Sequence, residues 1–119
     1  MIARRTVLAG LVALSATRAA ARGQLRLLMV RRAGCVYCAQ WDRQIGPHYA
    51  SHPLGRQAPL LSVDLDGPYP DGLALARRPW LTPTFILLQD GLEITRVEGY
   101  PGADRFFAVL ADMLALARG

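Results

Sequence analysis

Three short apolar runs and two amphipathic stretches set the plan of this chain. Residues 24–31 hold Leu25, Leu27, Leu28, Met29 and Val30, interrupted only by Arg26. A continuous apolar run of this length predicts a strand buried on both faces, as in a sheet covered by helices. Residues 58–64, with Pro59 at the mouth and then Leu60, Leu61 and Val63, predict a second strand. Thr84-Phe85-Ile86-Leu87-Leu88-Gln89 predicts a third. Asp90-Gly91 is a strong short hairpin signal. It leads into residues 92–98, where Leu92, Ile94 and Val97 set against Glu93, Thr95 and Arg96 predict a strand with one solvated face.

Helical spacing appears in three places. One helix starts near Cys35 and runs through Trp41 and Ile45 to Gly46-Pro47, which ends or kinks it. A short one is predicted over residues 73–78, closed by Pro79-Trp80. The last covers residues 103–117, with Phe106, Val109, Leu110, Met113 and Ala117 on one stripe and Asp104 near its positive end. His52-Pro53-Leu54-Gly55 reads as a loop, and residues 66–72 are turn chemistry throughout. The order β-α-β-α-β-β-α predicts an α/β fold: a parallel pair joined by a right-handed crossover, then an antiparallel hairpin. The result is a four-stranded mixed sheet covered by helices on both faces.

Composition changes this picture mainly at the N-terminus. All 14 basic residues are arginine, against 9 acidic ones, for a formal charge of +5. Arg4, Arg5 and Arg18 lie in the first twenty residues; without that stretch 11 arginines face the 9 acids, so the remainder is nearly balanced. Isolated pairs such as Arg31-Arg32 and Arg77-Arg78, without interleaved aromatics, argue against a nucleic-acid partner. Arg4-Arg5, the uncharged stretch 6–17 and Ala19-Ala20-Ala21 have the three parts of a cleavable export signal. An apolar stretch of about 12 residues is too short for a span of about 20. Residues 1–21 are therefore expected to be an export signal and 22–119 the mature domain. The loose twin-arginine match leaves the export route open, and an uncleaved anchor or an amphipathic first helix are the alternative readings.

Export changes how the two cysteines read. Cys35-Val36-Tyr37-Cys38 holds the only cysteines in the chain. In an oxidising compartment most cysteine pairs are structural staples, but a staple gains by closing a long loop. Cysteines three apart close almost none, so this pair suits thiol–disulfide exchange better. Cys35 falls at a helix start, where unpaired N–H groups and the macrodipole favour an anion, and its pKa is expected below the free value of about 8.5. Cys38 lies one turn further in, on the same side. The expected roles are nucleophile for Cys35 and resolving thiol for Cys38. Val36 and Tyr37 are expected at the exposed tip, touching a substrate, with mere packing the alternative for Tyr37. Trp41 is read as core, His48 and His52 as loop residues, and Asp64 as a turn or cap residue.

Cys-x-x-Cys after the first strand and Thr82-Pro83-Thr84-Phe85 opening the third resemble the thioredoxin fold in its minimal form. The likeness runs from about residue 25 to 116. Arg32-Ala33-Gly34-Cys35-Val36-Tyr37-Cys38-Ala39-Gln40-Trp41-Asp42, Ile45-Gly46-Pro47, Val63-Asp64-Leu65 and Glu98-Gly99-Tyr100-Pro101-Gly102 resemble a narrower group. These are the small exported thioredoxins, named regulatory protein SoxS, that accompany bacterial sulfur-oxidation gene clusters. The resemblance implies a cis Thr82-Pro83 bond facing the cysteines, with Thr82 and Pro83 helping to bind an extended substrate segment. It implies no cofactor beyond the redox-active Cys35–Cys38 disulfide. The implied partners are a protein disulfide or thiol adduct, with a sulfur-oxidation carrier protein as the candidate, and a membrane thiol transporter or another thioredoxin as electron donor. Three positions depart from ordinary thioredoxin. Gly34 stands where tryptophan precedes the first cysteine, Val36-Tyr37 replaces Gly-Pro, and Met29 replaces a buried aspartate that helps move protons. The thioredoxin proton route therefore does not carry over.

Three rival readings use the same residues. Cys35-x2-Cys38 with His48-x3-His52 has zinc-ligand types, although Pro47 and Pro53 bracket the histidines. Two thiolates also suit Cu(I). A non-catalytic interaction module could keep the fold without turnover.

Overall fold

The computed structural model describes residues 23–119. The export segment expected over residues 1–21 and the start of the mature domain at residue 22 lie outside the described residues. The elements are β1 (Leu25–Arg31), α1 (Val36–Gln44), α2 (Gly46–Tyr49), α3 (Pro53–Gln57), β2 (Leu60–Asp64), β3 (Thr84–Gln89), β4 (Leu92–Glu98) and α4 (Ala103–Arg118). The four strands form one mixed sheet in the order β2-β1-β3-β4. β1 pairs parallel with β2 and antiparallel with β3, and β3 pairs antiparallel with β4. The four-stranded mixed sheet, with its parallel β1–β2 pair and antiparallel β3–β4 hairpin, is the one that the residue pattern predicts.

Alternation along the two central strands sorts the core into two layers. Leu27, Met29, Phe85 and Leu87 face the helices, where Trp41, Ile45, Tyr49, Phe106, Leu110, Met113 and Leu114 pack against them. Trp41 is the hub, with ring centroids about 6 Å from those of Tyr49, Phe85 and Phe106. Its assignment to the core is correct, at 2% exposure. The Tyr49 hydroxyl donates to the Ala58 carbonyl and ties α2 to the approach of β2. Gly46-Pro47 breaks the first helix as expected, and Pro47 then starts α2.

The opposite face departs from expectation. Leu28, Val30, Val63, Ile86 and Leu88 are covered by Leu65, Tyr69, Leu73 and Leu75, which lie on irregular chain. Residues 73–78 are not helical, so among the described residues no helix lies over the second face. The reason is visible in the sequence. Leu73-Ala74-Leu75-Ala76 alternates with period two, and Gly67, Pro68, Pro70 and Gly72 just before it leave no helical lead-in. Ala74 instead forms a parallel bridge to Leu92 at the outer edge of β4, its N–H donating to the Gly91 carbonyl. Glycine is required at Gly91, because a Cβ there would lie 2.1 Å from the Gly72 oxygen and φ is +82°.

β4 departs from expectation as well. Opposite Leu87 and Leu88 the register skips Ile94, an irregularity of the bulge type. Leu88 stands opposite Glu93 and Ile86 opposite Arg96, so the bulge turns both charged residues onto the loop-covered face. Far from facing solvent, their side chains are 6% and 5% exposed and form an ion pair at 2.7 Å. Two smaller corrections concern boundaries. His52-Pro53-Leu54-Gly55 is not a loop but the entry of the short helix α3, capped by His52 Nδ1, which accepts the Leu54 N–H at 3.0 Å. β2 begins at Leu60 rather than at residue 58.

Candidate active site

Cys35 is the N-cap of α1. Its backbone is extended, and its Sγ accepts the Cys38 N–H at 3.1 Å. A turn delivers it there: Gly34 has φ of +80°, and the Cys35 N–H donates to the Arg32 carbonyl at 3.2 Å. The sulfur thus sits where a serine or aspartate cap would, on the positive end of a helix with no acidic residue in its first turn. An N–H aimed at that sulfur favours its thiolate form. Cys35 and Cys38 are joined by a disulfide with a Cα–Cα distance of 5.2 Å. Cys35 is half-buried and Cys38 is 1% exposed, held by the layer that contains Met29 and Trp41. The expected asymmetry between an accessible and a covered sulfur is present.

Val36 and Tyr37 follow at the tip, 73% and 60% exposed. The Thr82–Pro83 peptide is cis. Pro83 is fully buried and its carbonyl accepts the Gly99 N–H at 2.8 Å. Thr84 Oγ1 donates to the Leu81 carbonyl at 2.7 Å and is itself buried. No hydrogen bond to another described residue engages the Thr82 backbone. The sheet register sets Val30 opposite Thr84, so the chain before Thr84 and the chain after Arg31 leave the sheet at the same end. The topology therefore brings Cys35, Val36, Tyr37 and Thr82 to one end of the sheet.

The two arginines before the motif are both occupied. Arg31 grips Asp42 on α1 with both terminal nitrogens, the Nη1 contact being 2.8 Å. That hydrogen-bonded pair raises the Arg31 pKa and holds Asp42 below the usual carboxylate value. Arg32 pairs with Asp66 at 3.0 Å in the open. Asp64 closes a turn by accepting the Asp66 N–H at 2.9 Å, as its assignment to a turn requires. Around Cys35 these residues leave a shallow groove of about 400 Å³, lined by Arg31, Arg32, Gly34, Cys35, Ser62 and Asp64. Met29, at the position of the missing aspartate, is fully buried with its sulfur 3.7 Å from Arg31 Nη1. His52, besides capping α3, stacks on Phe107 at 3.6 Å. Among the described residues no three histidine, cysteine or acidic side chains gather at metal-binding distance.

Sequence reasoning missed two features. Trp80 is 69% exposed on the segment that leads to Thr82; the signal was a lone tryptophan between Pro79 and the Thr82-Pro83 pair. The Glu93–Arg96 pair was the other: both residues read as facing solvent, whereas their side chains are 6% and 5% exposed beneath irregular chain.

A cysteine pair at a helix start after the first strand, with a cis-proline segment beside it, defines the class. The family model of the thioredoxin-like domain matches residues 12–114, and the chain belongs to that family. Its activity class is thiol–disulfide oxidoreductase. The solved structure of the periplasmic thioredoxin SoxS from Paracoccus pantotrophus, in its reduced form, is 46% identical. It covers 79% of this chain and 99% of its own, with a TM-score of 0.77. A thioredoxin of Fasciola hepatica is 16% identical over 76% of this chain and 82% of its own, with a TM-score of 0.53, a likeness of fold alone. Thioredoxin-2, described as a component of malaria parasite protein secretion machinery, is alike in fold at 18% identity, 76% and 84% coverage and a TM-score of 0.53. No curated protein matches.

Proposed function

We propose that this chain is an exported reductase that acts on a protein disulfide or thiol adduct through Cys35 and Cys38. The observation that carries the reading is the half-buried Cys35 Sγ at the N-cap of α1, receiving the Cys38 N–H, with Cys38 covered behind it. In the reduced enzyme the Cys35 thiolate attacks one sulfur of the partner's disulfide. A Cys35–partner disulfide forms and the partner's other sulfur leaves as thiolate. Cys38, deprotonated, then attacks the Cys35 sulfur, re-forming Cys35–Cys38 and releasing the partner's second thiol. Two electrons pass to the partner, and a thiol donor restores the dithiol.

Thr82 contributes its unengaged N–H and carbonyl, which would pair with an extended partner segment like an added strand. Pro83 holds that backbone in place through its burial, and Val36 and Tyr37 supply apolar contact beside the sulfur. The 46% identity to a periplasmic thioredoxin supports an extracytoplasmic location, which fits Arg4-Arg5 and the apolar stretch after them. The resemblance of the Cys35 region to the small exported thioredoxins of sulfur-oxidation gene clusters makes a sulfur-oxidation carrier with a reactive cysteine the favoured partner. A membrane thiol transporter or another thioredoxin is the favoured donor.

The test is trapping. Cys38→Ser is expected to accumulate a mixed disulfide through Cys35 with the partner in an extract of the source cells, releasable by dithiothreitol, whereas Cys35→Ser accumulates none. Equal trapping by both variants, or by neither, would defeat the assignment of roles. Titration of the pair against glutathione checks direction: a potential near the oxidising end of the fold's range, about −120 mV, would rule out a reductase.

A further inference from the structure

Tyr37 and Trp80 are the two largely exposed aromatic residues among the described residues; Tyr37 lies between the cysteines, and Trp80 lies on the chain that enters β3 at that same end of the sheet. Trp80 is unusual in the contrast between its side chain and its backbone. The indole is 69% exposed, yet the chain that carries it is fastened on both sides. On one side Glu93 Oε1 accepts the Ala76 N–H at 2.9 Å, and Arg96 Nη2 donates to the Arg77 carbonyl at 2.7 Å. Arg96 in turn holds Glu93 through both Nε and Nη2, at 2.8 and 2.7 Å. Arg77 adds an outer contact to Glu98 at 3.5 Å, and Pro79 is buried. On the other side Pro83 is buried and bonded to Gly99. The bulge at Ile94 makes the first anchor possible by placing Glu93 and Arg96 on one face.

A large indole held out into water on an anchored segment contributes little to folding and suits a contact made with another molecule. Two residues on, Thr82 has an unengaged backbone, which suits an extended polypeptide as occupant. We infer that Trp80 is a specificity-determining contact: with Tyr37 it grips an apolar side chain on the partner segment carrying the target disulfide. The Glu93–Arg96 pair is the positioning device for that contact. This deepens the proposed reading and rests on it.

The experiment measures dithiothreitol-driven reduction of insulin, a protein disulfide, by the wild type and three variants. Trp80→Ala is expected to raise KM about tenfold with kcat within about twofold, the size of effect a central aromatic contact has on binding. Trp80→Phe is expected to keep KM within about threefold of wild type. Arg96→Met is expected to move KM in the same direction by a smaller factor. In all three the redox equilibrium of Cys35–Cys38 with dithiothreitol is expected to stay put, which separates a lost contact from a distorted site. A Trp80→Ala KM within twofold of wild type overturns the role of Trp80. So does a fall in kcat accompanied by a shift in that equilibrium. An Arg96→Met KM equal to wild type in a folded protein overturns the positioning role. A wild type that does not reduce insulin at all overturns the reductase reading first, and is thereby distinguishable from failure of the Trp80 contact alone.

Discussion

On one face of the sheet, Trp41, Tyr49, Phe85 and Phe106 interlock beneath helices; on the other, Leu28, Val30, Ile86 and Leu88 are roofed by irregular chain. The first face is closed by aromatic packing, which depends on shape and tolerates no gap. The second is closed by a few leucines and Tyr69, then fastened at its margin by a buried ion pair bonded to backbone groups. The two faces serve different halves of the site. The packed face sets the depth of Cys38 and the angle of α1. The fastened face sets the path of the chain into Thr82 and Pro83.

The packed face is where the larger stability effect is expected. Trp41→Ala removes a side chain that is 2% exposed and touches three aromatic rings. A loss of about 3–5 kcal/mol is expected for a buried aromatic truncated to alanine. Urea unfolding followed by far-UV circular dichroism reads it. A loss under about 1 kcal/mol would mean that the aromatic cluster is not what closes this face.

Arg96→Met tests the other face. Removing one partner strands the Glu93 carboxylate in a nearly dry site, and breaking a buried pair costs about 3 kcal/mol or more. Replacing both as Glu93→Gln with Arg96→Met is expected to recover part of that loss, because no uncompensated charge remains. The double-mutant cycle is then expected to give a coupling of about 1–3 kcal/mol. Additive losses would show that the two residues act separately, and the comparison between the faces would fail.

The contrast also explains how legible each part was in the sequence. Strand alternation and the helical stripe from Phe106 to Met113 are periodic signals, and they placed β1, β3 and α4 to within a residue or so. The disulfide half of the site was equally readable, since Cys-x-x-Cys after an apolar strand leaves few chemistries open. The cis Thr82–Pro83 bond came from resemblance, not from pattern. The loop-covered face is the less legible one because Leu73 and Leu75 share a short span with alanines and arginines that favour helix, while the prolines and glycines before them signal a turn without showing that the chain stays irregular beyond it. Glu93 and Arg96 fall on the polar side of β4 in the sequence, and charge alone gives no sign that this side is covered rather than solvated.

The smallest expected effect is also the most specific, because it isolates Glu93 by its charge. The hydrogen bonds from Arg96 are the main cause that holds the Glu93 carboxyl below its ordinary value of 4.5; burial opposes them, while the Ala76 N–H and the charges of Arg96 and Arg77 add to them. A carboxyl whose folded pKa is depressed contributes stability that is fully present above the unfolded value. It is lost as pH falls through the lower, folded one. Asp42 is depressed in the same sense by Arg31 and also weakens the protein in acid, but it is common to wild type and Glu93→Gln and cancels in their difference. The stability gap between the two is therefore expected to be flat from about pH 7 to pH 5 and to narrow as pH drops below 4.5. Chemical unfolding of both proteins at half-unit steps from pH 7 to pH 3 measures it. A gap that widens in acid would mean that the carboxyl is held protonated by burial rather than ionised by Arg96. The fastening of the Trp80 segment would then rest on neutral hydrogen bonds alone.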